Sequence, residues 1–214
     1  MNYLALHAKM RAMGARLLRP EDYRQLCSLH GPEALRAQLA GRSTPEEEWA
    51  RVLRFVGAGR RALQAVALSP GQAPDLHYYL RAWDAVRALP GPNRAAISHI
   101  LGSEIDLRNI QWVQRLKQHG LPPEALYPHL IPLHYRLRRE DLRRWVEADA
   151  SQAAPCAPDM PQVLATAVKR WPRSVAVALR YFWHKQQEAQ NLTAIAEGLR
   201  HGLSPEEILT HLRG

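Results

Sequence analysis

The chain has 214 residues, with 29 basic and 20 acidic side chains and a formal charge of +9. Hydrophobic residues make up 46% of it, enough to bury a core and to exclude a solvated, disordered tail. No apolar run approaches the roughly 20 residues that span a bilayer, while the basic excess is compatible with nucleic acid, an acidic protein or an anionic membrane surface as partner.

Apolar residues recur at intervals of three and four, and β-branched runs of period two are missing. The fold class is therefore all-α. In chain order the spacing predicts helices over about 2–17, 20–29, 32–40, 45–67, 75–89, 92–119, 123–130, 138–149, 160–170, 172–200 and 205–213. The first keeps Leu4, Ala8, Arg11 and Ala15 at helical spacing up to Pro20. It is Arg-rich and acid-poor like a transit peptide, but that spacing favours an amphipathic helix. Thr44-Pro45-Glu46-Glu47 is a clear helix start. Gly57 and Gly59 weaken the helix around them, by about 1 kcal/mol each relative to Ala. Breaks are expected at Ser69–Pro74 and over Ala148–Pro161. Cys27 and Cys156 stand far apart without metal-ligand partners and read as reduced thiols of a cytosolic protein.

One segment occurs twice. Residues 109–130 read NIQWVQRLKQHGLPPEALYPHL and residues 191–212 read NLTAIAEGLRHGLSPEEILTHL. At an offset of 82, eight of 22 positions are identical, among them Asn109/Asn191, Gly120/Gly202, Pro123/Pro205 and Glu124/Glu206. Val113/Ile195 and Leu126/Ile208 are apolar in both copies. Each copy reads as a helix ending at Gly, a Pro-containing turn and a new helix, because Gly accepts the positive φ of a helix end and Pro suits the first helical position. Ser204 and Glu207 form a capping box, whereas Pro122 occupies the cap position of the first copy. A fainter echo of the punctuation lies at Leu18-Arg19-Pro20-Glu21-Asp22-Tyr23. The repeat divides the chain into a lobe over 1–120, with a long connecting helix, and a second lobe with closing helices over 121–214, within one continuous repeat protein.

The candidate site residues lie just upstream of and within the repeat. Glu104, Asp106, Arg108 and Asn109 fall within about a turn and a half, and Glu188 and Asn191 stand at matching places. Asn is a mediocre helix residue because its side chain competes for backbone hydrogen bonds. Finding it within a helix in both copies implies a demanded contact. Two readings stand: a polar rim facing a partner, or an internal lock onto a neighbouring segment.

Signatures of chemistry are missing. There is no HExxH, no phosphate-binding loop, no GxSxG and no paired Cys/His arrangement. No catalytic residue, metal or cofactor is expected. The run His134–Trp145 is the densest basic patch, but Glu140 and Asp141 interrupt it and its periodicity favours a solvated helix face over a phosphate grip. The aromatic groups Tyr78-Tyr79-x-x-x-Trp83 and Tyr181-Phe182-Trp183 read as core.

Three stretches carry a family resemblance: YLALHAKMRAMGARLLRPEDYRQL (3–26), LGSEIDLRNIQWVQRLKQHGLPPEALYPHLIPLHYRL (101–137) and YFWHKQQEAQNLTAIAEGLRHGLSPEEILTHL (181–212). In order and spacing they resemble the C-subunit family of V/A-type rotary ATPases, whose eukaryotic members are called the d subunit. The resemblance implies pseudo-repeated helical lobes forming a funnel-like socket. It implies a non-catalytic component, peripheral to the cytoplasmic face of the membrane, that links the central stalk to the membrane rotor ring and passes torque for ion transport. Members of that family are longer and carry a further lobe. On this reading Glu104, Asp106, Arg108, Asn109, Glu188 and Asn191 line the socket that receives the stalk, and no nucleic acid is expected. The alternative is a basic helical repeat protein that binds nucleic acid or another acidic partner.

Overall fold

The computed structural model describes residues 3–56, 59–66, 76–148 and 153–212, and every regular element among them is helical. The break expected at Ser69–Pro74 and the weakness at Gly57 fall outside the described residues, as do 149–152 of the expected long loop. Packing divides the chain into two compact units. One is continuous, Ala58–Val177; the other joins Asn2–Gly57 to Ala178–Gly214. Each unit contains one copy of the repeat.

The discontinuous unit holds α1 (Tyr3–Gly14), α2 (Pro20–Cys27), α3 (Pro32–Gln38) and α4 (Pro45–Val56) from its first segment. It also holds nearly all of α11 (Ala176–Arg200) and α12 (Pro205–Thr210). Its core gathers Leu26, Cys27, Leu35, Ile195 and Ile208, so α2 and α3 pack against the C-terminal helices. Gly198 permits the close approach of α12. A Cβ built there would stand 2.6 Å from Cγ1 of Ile208.

The continuous unit is organised around α7 (Gly91–Gln118), 28 residues and about 42 Å long at 1.5 Å per residue. Against it pack α5 (Arg60–Gln64), α6 (Leu76–Arg87) and α10 (Met160–Arg170). After α7 come α8 (Pro123–Leu126), a 3-10 turn over Tyr127–His129 and α9 (Arg139–Glu147). Ile110, Val113, Leu126, Leu130, Leu142, Trp145 and Val146 form the core beneath them. Lys117 donates to the carbonyls of Trp145 and Ala148 and so satisfies the end of α9, where a cation suits the helix C-terminus. The exposed side of α9 pairs its own charges, Arg143 with Glu147 at 2.8 Å and Arg144 with Asp141 at 3.6 Å.

The two copies of the repeat build the same turn. Gly120 and Gly202 adopt φ of 73° and 69°. Leu121 N–H reaches the Leu116 carbonyl at 3.2 Å while Gly120 N–H reaches Lys117; Leu203 N–H reaches Gly198 at 3.0 Å while Gly202 N–H reaches Leu199. This pair of bonds is the Schellman closure of a helix end. Repeat partners Val113 and Ile195 are both fully buried, as are Leu126 and Ile208. The second helix and its entry differ. Ser204 and Glu207 exchange their capping bonds at 2.8 and 3.3 Å, and Pro122 has no side-chain cap to offer.

Three helices depart from the sequence reading; the one expected over 123–130 is α8 followed by the 3-10 turn Tyr127–His129. The one expected over 45–67 is described as α4 ending at Val56 and α5 starting at Arg60, with Gly59 at its N-cap. The one expected from 172 starts at Ala176. Ser174 Oγ donates to the Trp171 carbonyl at 2.6 Å and accepts from Ala176 N–H at 3.2 Å, so the chain makes a capped turn before the helix begins. Ala in place of Gly120 or Gly202 should cost about 1–2 kcal/mol for the left-handed backbone, and Ser204→Ala about 1 kcal/mol for the lost cap. Gly14→Ala has no positive φ and no atom within 4 Å of the new Cβ, and should leave the urea midpoint unchanged or raised. Equal midpoints for all four variants would contradict this account of the turns.

Candidate functional site

On α7, Asp106 and Asn109 are three residues apart and therefore share a face. Both are buried, at 1% and 0% exposure. Asn109 donates from Nδ2 to the Ile131 carbonyl at 3.0 Å and accepts from Ile131 N–H at 2.8 Å. Its amide pairs with the backbone as one rung of a strand ladder would. Asp106 accepts three consecutive backbone N–H groups, from Tyr135 at 3.1 Å, Arg136 at 2.7 Å and Leu137 at 3.0 Å. The stretch 130–138 has no helix or strand of its own. Side chains of α7 supply the hydrogen bonds that regular structure would have supplied.

Glu104 and Arg108 lie on the same helix but only half buried, with side-chain exposures of 30% and 40%. Glu104 accepts from the Tyr79 hydroxyl at 3.2 Å and stands 3.9 Å from the Arg108 guanidinium. Burial pushes its carboxyl up, against the pull of Arg108 and of the Tyr79 hydroxyl. Arg108 also donates to Gln111 at 3.4 Å, and its buried Nε has no protein partner among the described residues.

The discontinuous unit repeats the device with different partners. Glu188, 2% exposed, accepts Leu18 N–H at 2.7 Å and Arg42 at 3.2 Å, and pairs with the buried Lys185. Arg42 donates in turn to the Arg16 carbonyl at 2.8 Å. Asn191, 3% exposed, hydrogen-bonds the side chain of Tyr23, whose hydroxyl burial pushes up. Glu188 and Asn191 thus hold the segment Leu18–Tyr23, the third echo of the repeat punctuation.

The six candidate residues therefore fall into two clusters, four in one unit and two in the other. Asp106, Asn109, Glu188 and Asn191 are buried and hydrogen-bonded within their own units, which is the geometry of the internal lock. Their oxygens and amides face backbone and side chains of this chain, and Asn191 also lines a small open pocket with Gln190, Ala194 and His211. Glu104 and Arg108 keep partial exposure.

Several participants are not legible in the sequence. Arg42 and Lys185 look like ordinary surface charges. Asn93 looks like a residue of a helix first turn, yet its Oδ1 accepts from Val175 N–H at 3.0 Å. His99 is one of ten scattered histidines. It is buried at 3% exposure, with Nδ1 3.3 Å from the Tyr135 hydroxyl and its ring 5.5 Å from that of Trp171. Its Nε2 has no protein partner among the described residues. The signal that could have found this place is Gly102 one turn along, where a Cβ would stand 2.7 Å from Cβ of Tyr135.

Residues 73–159 and 160–211 match the family described as ATP synthase (C/AC39) subunit. The chain is 27% identical over 156 residues to the C subunit of an A-type ATP synthase from Thermococcus gammatolerans, covering 61% of this chain and 43% of that protein. It is 29% identical over 129 residues to the C subunit of an A-type ATP synthase from Archaeoglobus fulgidus, covering 49% and 38%. The match thus takes in less than half the length of either relative. No solved structure matches the chain.

Replacing Asn109 by Leu strands the buried N–H and C=O of Ile131. At about 1–3 kcal/mol per unsatisfied group, the continuous unit should lose roughly 2–6 kcal/mol in urea denaturation, and an unchanged midpoint would speak for the partner-facing rim instead. A second expectation concerns acid. Burial, reinforced by the charges of Arg136 and Arg170, holds His99 below its ordinary value of 6.5. The unfolded chain takes up that proton first, so stability is complete above about pH 6.5 and falls as pH drops below it. In His99→Gln this part of the acid sensitivity should vanish from melting curves recorded between about pH 7 and 5.

Proposed function

Because the chain belongs to the ATP synthase (C/AC39) subunit family, we propose that it is a non-catalytic component of a V/A-type ATPase or ATP synthase. In this reading it links the central stalk to the membrane rotor ring and passes torque between them. The observation that carries it is the family match itself, which runs over 73–211 and takes in both copies of the repeat. Both relatives described above are named as the C subunit of an A-type ATP synthase.

The physical features agree with such a part. Torque passes best through a body that does not shear. A 28-residue helix clamped to an adjoining irregular segment by two buried side chains is stiff where bare loops yield. The chemistry needed is contact rather than turnover. No helix among the described residues is long and apolar enough to cross a membrane, and the proposed place of the protein is peripheral, on the cytoplasmic face beside the ring. In the proposed assembly the helical units, each carrying one copy of the repeat, serve to receive the stalk.

The stalk-facing role then divides among the six candidate residues. Glu104 and Arg108, half exposed on α7, offer their charges to the stalk. Asp106, Asn109, Glu188 and Asn191 act from inside, holding the segments that shape the receiving surface.

Affinity purification of the tagged chain from detergent-solubilised membranes tests the reading. Central-stalk and ring proteins should co-purify, and the isolated chain should not hydrolyse ATP. Charged contacts are worth about 1.5–3 kcal/mol when well buried, so Glu104→Ala with Arg108→Ala should weaken stalk binding by about tenfold or more while the protein stays folded. Recovery of a folded chain without other rotary-ATPase components, or turnover of ATP by the homogeneous protein, would sink it.

A further inference from the structure

Two irregular segments of the continuous unit are pinned to α7 by polar side chains, and each presents an aromatic ring with an arginine beside it. Asp106 holds 135–137 through three backbone N–H groups. Asn93 holds Val175, and Ser174 closes the turn on the Trp171 carbonyl. The Arg136 guanidinium lies over the Tyr135 ring at 5.9 Å, and the Arg170 guanidinium over the Trp171 ring at 5.0 Å. Between the two rings sits His99, 6.0 Å from Tyr135 and 5.5 Å from Trp171. Trp83 meets Tyr135 edge-on at 6.5 Å. The result is a continuous row: Arg136, Tyr135, His99, Trp171, Arg170.

We propose that the outer members of this row, Arg136 on Tyr135 and Arg170 on Trp171, with buried His99 supporting the rings from behind, are a docking surface for an acidic segment of a partner protein, whose carboxylates pair with the two guanidiniums. Charge complementarity carries the choice. Neither guanidinium has a carboxylate partner among the described residues, in contrast to Arg143 and Arg144 on α9, which are paired within their own helix. A guanidinium stacked on a ring keeps its N–H edge available for bidentate pairing with a carboxylate. Its orientation is fixed beforehand by the ring and by the pinned backbone, so little freedom is lost on binding. Tyr, Trp and Arg are also the side chains that dominate the binding energy of protein interfaces.

The same features weigh against other occupants. Tyr135 is 37% exposed and Trp171 half-buried, each with a guanidinium over its ring, so open faces for stacking bases are lacking. Guanidiniums held in fixed orientation on rings suit bidentate pairing with carboxylates more than the diffuse charge of a lipid surface. The inference does not depend on the rotary-ATPase reading, since it rests on contacts within one unit.

The test uses the whole chain and a fluorescein-labelled oligoglutamate peptide, with binding followed by anisotropy at low salt. Arg136→Ser with Arg170→Ser is compared with Arg138→Ser with Arg139→Ser, which removes the same charge from exposed neighbours outside the row. The first pair should weaken binding about tenfold or more and the second less than about threefold. All four side chains are exposed, so both proteins should melt as the parent does. If the first pair fails to fold, Arg136→Lys with Arg170→Lys keeps the charge and loses the fork, and should still weaken binding. The proposal is overturned by equal losses in the two Ser pairs, by parent-like affinity in the Lys pair, or by no binding to the parent. It is also overturned if anionic vesicles or a single-stranded oligonucleotide compete with the peptide and depend on Arg136 and Arg170 as strongly.

Discussion

Irregular backbone cannot be buried unless something answers its N–H and C=O groups. In this chain the answer comes from carboxylates and amides on the two long helices. Asp106 takes three consecutive N–H groups and Asn109 takes both polar groups of Ile131. Glu188 takes Leu18 N–H along with two cations. Without these, residues 131–137 and the approach to α2 would have to fold into regular structure or move out to water. The core beneath Leu130 and Ile131, the placement of Tyr135 on Gly102 and the row around His99 all depend on that clamp.

The locks also bear on the proposed non-catalytic role. In the proposed rotor role the working property is stiffness, and stiffness comes from polar side chains whose every bond is directional. A leucine at position 109 could fill space, but it would leave Ile131 N–H and C=O unanswered. Polar groups in a dry environment give specificity because their alternatives are costly. The partial exposure of Glu104 and Arg108 on the same helix separates contact from support: one face of α7 is turned to what can be touched, another to what must stay put.

Most of the helical pattern can be read from the chain. Pro at N1, Gly at helix ends and the Thr44–Glu47 and Ser204–Glu207 boxes are local codes, and local codes survive in a sequence. The repeat points correctly to Val113, Ile195, Leu126 and Ile208 as equivalent core positions, and it singles out Asn109 and Asn191 as residues under demand. It leaves open which demand, because a buried Asn and a surface Asn are spelled alike. The partners of Glu188 lie 170 and 146 positions away at Leu18 and Arg42, a separation no periodicity records. The start of α11 is hidden for a related reason. The start expected at 172 passes over Ser174, and Asn93, whose bond to Val175 fixes the turn, belongs to another helix.

The contact between Leu18 and Glu188 has a consequence in time as well as in space. One compact unit is assembled from the first and last segments of the chain, with the other unit inserted between them. A ribosome delivers Leu18 long before Glu188, so α1 to α4 emerge without the helices that cover them. The inserted unit is contiguous and can close its own core as soon as it is released. The discontinuous unit must instead close a loop of more than a hundred residues, and contacts of such long sequence separation form slowly. Prior folding of the insert shortens that loop to the distance between its two ends, which lowers the entropy of closure. The order of synthesis thus lets the inserted unit fold first and shorten the search by which the first and last segments find each other.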